Sequence, residues 1–156
     1  MIGAGELRVV PGFGEVPQGE LEWLAGELTP RDLPAGAGYF AQGEPSAGLF
    51  VVLSGLLQLV RRENGKEVAS YLLEPGEIAG QLPFSRMRVQ GTSATAVSDA
   101  RVAELASGRF PELQACAPAV LELLVHEMLD RTQEYTRMGA QREKLMSLGT
   151  MAAGLA

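Results

Sequence analysis

The stretch GYFAQGEPSAGLFVVLSGLLQLVRRENGKEVASYLLEPGE, residues 38–77, decides the fold. Two apolar runs, Leu49 to Leu53 and Leu56 to Val60, flank Ser54-Gly55, and Leu56, Gln58 and Val60 begin an alternating pattern. Alternation of period two marks a strand with one buried face. Glu63-Asn64-Gly65 predicts a hairpin, because Asn-Gly supplies the positive φ angles of a type I′ turn. Val68 to Leu73 is its partner strand, ended by Glu74-Pro75-Gly76. After an irregular stretch, Ser93 to Val97 and Arg101 to Leu105 are two more candidates. Strands this short, each bounded by a turn, describe a small antiparallel barrel or jelly roll.

On either side the texture changes. Residues 1 to about 36 read as loop around one short helix, in which Leu21, Leu24 and Leu28 form an apolar stripe beside Trp23. Pro30 and Pro34 are expected to end it. From Ser107 the pattern turns helical, with Pro111 near the start of a short helix and Pro118 in the first turn of a longer one. No proline follows from Ala119 to Ala156, a run that would extend about 57 Å as helix. Leu121, Leu124, Met128, Tyr135, Met138 and Leu145 fall on a heptad seam, interrupted by Arg131 and Arg142. Near the end the stripe shifts to Leu145, Leu148, Ala152 and Leu155, as a stammer would. A helix this long outruns a domain this small, so a parallel homodimer is expected to cover the rest. The fold class expected is mainly β plus α. A β-roll or jelly-roll barrel flanked by short helices fills residues 1–117, and a long dimerisation helix fills residues 118–156.

Composition bounds the function. The chain has 156 residues, 46% of them apolar and 21% charged, which is ordinary globular composition. Its 19 glycines are about 12%, against a usual ~7%, and suit many tight turns. A net charge of −6 argues against a nucleic-acid surface. Cys116 and His126 are each the sole residue of their kind, so no intramolecular disulfide is possible and a zinc site or Ser-His-Asp triad is hard to assemble. Cys116 is expected to be a small buried hydrophobe. No catalytic group is read in the chain, and a stand-alone enzyme is set aside. Without a leader or a long apolar run the chain reads as soluble and cytoplasmic, with no membrane contact.

The pattern of Phe, Gly-Glu, apolar strand, Ser-Gly, Asn-Gly hairpin and Pro-Gly, over about residues 18 to 130, resembles the cyclic-nucleotide-binding domain of catabolite-activator-type regulators. Gly43, Gly55, Gly65 and Gly76 stand where that family has its turn glycines. The resemblance implies a ligand cassette at Gly80, Gln81, Leu82, Pro83, Ser85, Arg86, Arg88, Gln90, Thr92 and Ser93. It also implies a cyclic nucleotide or another small anion as ligand, while the residues themselves fix no cofactor. Gln81 stands for the family's glutamate that bonds the ribose hydroxyl. Gln90, or Thr92 if Ser93-Ala94-Thr95 is the anchor, stands for the arginine that pairs the cyclic phosphate. Neither can replace a bidentate guanidinium contact, which argues against high-affinity cAMP or cGMP binding by the usual mode. Two readings of Leu82-Pro83-Phe84-Ser85-Arg86-Met87-Arg88 remain. Arg86 or Arg88 anchors a remodelled anion site, or both are solvated and Phe84 and Met87 fill the pocket.

The tail QREKLMSLGTMAAGLA, residues 141–156, is similar to the opening of the dimerisation and phosphoacceptor helix of sensor histidine kinases. Glu143, Lys144, Leu145, Leu148, Gly149, Ala152, Ala153, Gly154 and Ala156 match a run that in that family leads into the phosphoacceptor histidine. The resemblance implies a truncated sensory module of a two-component kinase. A kinase domain and a response regulator would be its partners, and the full-length protein would be a histidine kinase. His126 lacks the preceding small residues and reads as a helix-surface or dimer-facing side chain. A ligand would contact the helix around Leu121 to Met128, and the heptad shift near Leu145 would absorb the change. The alternative is a cyclic-nucleotide-responsive transcription regulator fragment lacking its DNA-binding domain.

Overall fold

The computed structural model describes residues 2–130. Eight strands run β1 Thr29–Leu33, β2 Gly38–Phe40, β3 Gly48–Ser54, β4 Leu57–Glu63, β5 Lys66–Leu73, β6 Ile78–Gly80, β7 Ser93–Ala96 and β8 Ala100–Ala106. They form two four-stranded sheets, in the orders β1-β8-β3-β6 and β2-β7-β4-β5. All pairings are antiparallel. Helix α1 is Gln18–Glu27 and α2 is Phe110–Cys116. Residues 118–130 are helical and are called α3. Mixed β plus α with antiparallel sheets is therefore the architecture, as expected.

Strand β3 explains why its sequence is apolar throughout rather than alternating. Phe50 and Val52 point into a core between the sheets, with Leu57, Leu59, Leu73, Ala94, Ala96 and Val102. Leu49 and Val51 point the other way, into a second core shared with Leu7, Phe13, Leu21, Leu24, Leu113, Val120 and Leu124. A strand covered on both faces loses its period-two signal. The second sheet has an open face, so β4 keeps it: Leu57 and Leu59 are buried and Gln58 is exposed. At the β4–β5 hairpin Asn64 has φ 54° and Gly65 φ 78°, the two left-handed positions of the expected turn.

Several expectations are corrected. The first 36 residues hold a strand as well as a helix, because Pro30 sits in β1, an edge strand, where a missing N–H costs no ladder bond on the open side. Six residues from Ala4 to Val9 form a 3₁₀ helix. Cys116 is exposed, since Leu113 and Ala117 take the inward positions around the end of α2. The seam expected to begin at Leu121 and Leu124 does not face outward. Leu124 is only 2% exposed, and Leu121 and Met128 pack against the same core. Covering the barrel accounts for Leu124, while Leu121 and Met128 keep part of their surface exposed. Tyr135, Met138, Leu145 and Leu148 lie outside the described residues, as does most of the expected long helix.

Helix α3 is held at its root by a distant side chain. Glu20 of α1 accepts hydrogen bonds from the backbone N–H of Ala119, at 2.8 Å, and of Val120, at 3.3 Å. Both are among the donors a helix start leaves unpaired, and a carboxylate there also meets the positive end of the helix dipole.

Candidate functional site

A cavity of about 330 Å³ opens between the second sheet, the cassette and α3. Its apolar walls are Phe40, Leu59, Ala79, Leu82, Met87 and Met128. Its polar lining is Ser85, Gln90 and Thr92 beside Gly80 and Gly91. No charged side chain of the described residues lines it. Gly80, at φ +85°, ends β6 where a Cβ would lie 2.6 Å from the carbonyl oxygen of Gly48. Only glycine fits so close to β3, and the chain leaves the sheet there to form the cassette. The Leu82 carbonyl accepts from Ser85 N–H at 3.1 Å, and Ser85 Oγ accepts from Met87 N–H at 3.1 Å. That hydroxyl keeps its own proton free to donate into the cavity.

Gln90 is positioned by its backbone. Its N–H donates to the Glu44 carbonyl and its carbonyl accepts from Gly43 N–H, both at 2.8 Å. Pro45 and Val89 form a bridge alongside. The Gln90 side chain is buried, at 9% exposure, and lines the cavity without a hydrogen bond to any described residue.

Of the ten cassette residues expected in the site, the fold brings Gly80, Leu82, Ser85, Gln90 and Thr92 to the cavity. Gln81, Pro83, Arg86, Arg88 and Ser93 are not in its lining. Ser93 Oγ instead accepts from Gln42 N–H at 2.9 Å, tying the end of β2 to β7. Arg86 and Arg88 are exposed, with no ion pair to a described residue. The expected pocket filling by Phe84 and Met87 is half corrected. Met87 is in the wall, but Phe84, at φ 68°, is 75% exposed. A left-handed backbone at position 84 turns the ring outward. Sequence reading missed Phe40 and Leu59, which come from two other elements and carry no local motif, whereas Met128 ends the helix stretch expected to meet a ligand.

A second cavity, of about 370 Å³, lies at the β1 and β2 edges and shares Phe40 and Gln90 with the first. Tyr39 Oη donates a hydrogen bond to Glu104, and Arg31 pairs with Glu104 at 3.7 Å while lying 5.6 Å from the Tyr39 ring centre. Burial, then the hydrogen bond to Glu104, pushes the Tyr39 hydroxyl above the ordinary tyrosine range. Tyr39, Glu104 and Arg31 satisfy one another, whereas Ser85, Gln90 and Thr92 line the first cavity.

A jelly roll whose cassette and following helix enclose a small cavity defines a ligand-binding regulatory domain. The Cyclic nucleotide-binding domain family matches residues 30–115, and the chain belongs to that family. It is 27% identical over 120 residues to the CRP-like cAMP-activated global transcriptional regulator of Mycobacterium tuberculosis, covering 76% of this chain and 54% of the regulator. The chain thus spans about half the length of that curated relative. Thermus thermophilus Catabolite Activator Protein is similar at 26% identity and TM-score 0.62, covering 82% of this chain and 59% of that one. A cyclic nucleotide-binding domain from Methylobacillus flagellatus KT shares the fold, with TM-score 0.71 over 89% of this chain and 79% of its own at 17% identity. Among the described residues, no helix is long and apolar enough to cross a membrane.

Proposed function

We propose that the chain is a sensory module in which a small molecule bound in the 330 Å³ cavity biases the position of α3. The observation that carries this reading is Met128: α3, the last described element of the chain, supplies part of the cavity wall. A ligand touching Met128 has different contacts with different positions of α3, which is the condition for transmitting a signal. Hydrogen exchange over residues 118–130, with and without a panel of nucleosides and cyclic nucleotides, tests it. Slower exchange with at least one member is expected, and unchanged exchange with a member that binds would overturn it. Met128→Ala should weaken the coupling without abolishing folding, because this residue lies at the edge of the core.

Two outputs are consistent with such a module. The transcription-regulator reading is favoured by the curated relatives that are cAMP-activated transcriptional regulators, of whose length the match covers about half. In that reading the protein acts as a dimer and DNA is met outside the matched region. The sensor-kinase reading is carried by the run Gln141 to Ala156, which lies outside the described residues and resembles a phosphoacceptor helix. There the partners are a kinase domain and a response regulator. The encoded sequence after Ala156 discriminates. A His-Glu pair supports the kinase, and a basic helix-turn-helix supports the regulator.

A further inference from the structure

We infer that the cavity between cassette and α3 selects an uncharged ligand of the nucleoside class over a cyclic nucleotide, with Gln90 as the specificity-determining residue. The inference rests on the sensory-module reading and names its ligand. A cyclic monophosphate carries one negative charge at neutral pH. Burying it without a cation costs several kcal/mol, and among the described residues no cation lines this cavity. Arg86 and Arg88, the nearest cassette cations in sequence, are exposed and absent from its lining.

What the cavity offers is neutral and unsatisfied. The Gln90 carboxamide, nine-tenths buried and without a hydrogen bond to any described residue, presents a donor and an acceptor side by side. That edge matches the paired donor and acceptor on a purine, as glutamine does with adenine. Ser85 and Thr92 add hydroxyls suited to sugar hydroxyls, while Leu59, Leu82 and Met128 offer apolar surface to a flat ring. The volume, about 330 Å³, falls at the small end of ligand pockets. A ligand that pairs the amide gains a hydrogen bond that no described residue makes.

The test is calorimetric titration of the chain with adenosine, guanosine and their 3′,5′-cyclic monophosphates. At least one nucleoside should bind tenfold or more tighter than its own cyclic monophosphate. Gln90→Leu should lose that nucleoside binding by tenfold or more, and Gln90→Arg should reverse the order. A cyclic monophosphate that binds as tightly as its nucleoside overturns the inference but leaves the sensory module standing. No heat from any of the four also overturns the inference, while the sensory module is overturned only by a compound that binds and leaves exchange in α3 unchanged. Should either variant fail to fold, the wild-type ranking alone decides.

Discussion

Tyr39 and Glu104 show how much one residue pair decides at the barrel edge. The hydroxyl is partly buried and donates to a carboxylate, so the folded state holds its proton more tightly than the unfolded chain does. Because the folded value lies above the unfolded one, near pH 10, this stabilisation is complete below about pH 10 and is lost as pH rises further. Urea titrations at pH 8 to 11 should show stability falling above about pH 10, and Tyr39→Phe should flatten that decline. At neutral pH the variant should lose about 1 kcal/mol, the worth of one hydrogen bond. Neither partner was legible as a pair in the sequence, for they lie 65 residues apart and meet only when β2 folds across from β8. Gly80 was legible, because a glycine opening the cassette belongs to a recurrent pattern. Gln90 was legible as a departure from that pattern, but not as a buried, unpartnered amide.

At the scale of elements, local chemistry was readable wherever it decided the outcome. The Asn64-Gly65 turn, β3 to β5, and β7 with β8 all follow from turn residues and apolar runs. Strand β1 was not readable, since Pro30 argues against a strand until the topology puts it on an edge. The stripe on α3 was readable as apolar but ambiguous as to what covers it. The structure answers for the first part: Leu124 belongs to the core of its own domain. Leu124→Ala should therefore cost about 2–5 kcal/mol in folding stability, as buried leucine truncations do. Leu145→Lys, outside the described residues, tests the expected dimer: it should leave the thermal midpoint of the barrel unchanged and shift sedimentation toward monomer. If both variants changed only sedimentation, the core assignment of Leu124 would be wrong.

On the scale of the whole molecule, the segment before the barrel and the segment after it form one layer against the outer face of the first sheet. Leu7, Phe13 and Leu21 come from one end of the described chain, and Val120 and Leu124 from the other. Glu20 is the polar stitch in that layer. Glu20→Ala should lower stability by about 1 kcal/mol, the usual loss for a helix-start acceptor. In hydrogen exchange the loss should show first at the amides of Ala119 and Val120. Equal protection of those amides in both proteins would mean that water replaces the carboxylate at no cost.

The stitch has a mechanical consequence. A rod clamped at its root cannot swing there; it can only flex further along, like a cantilever. Helix α3 is gripped at Ala119 and Val120, and Met128 lies about 12 Å farther out along its axis. Leu124, buried in the core between these two points, pins the rod a second time, so any free lever arm begins beyond that side chain. In the proposed sensory reading, a molecule in the cavity would bear on Met128, outside both fixing points.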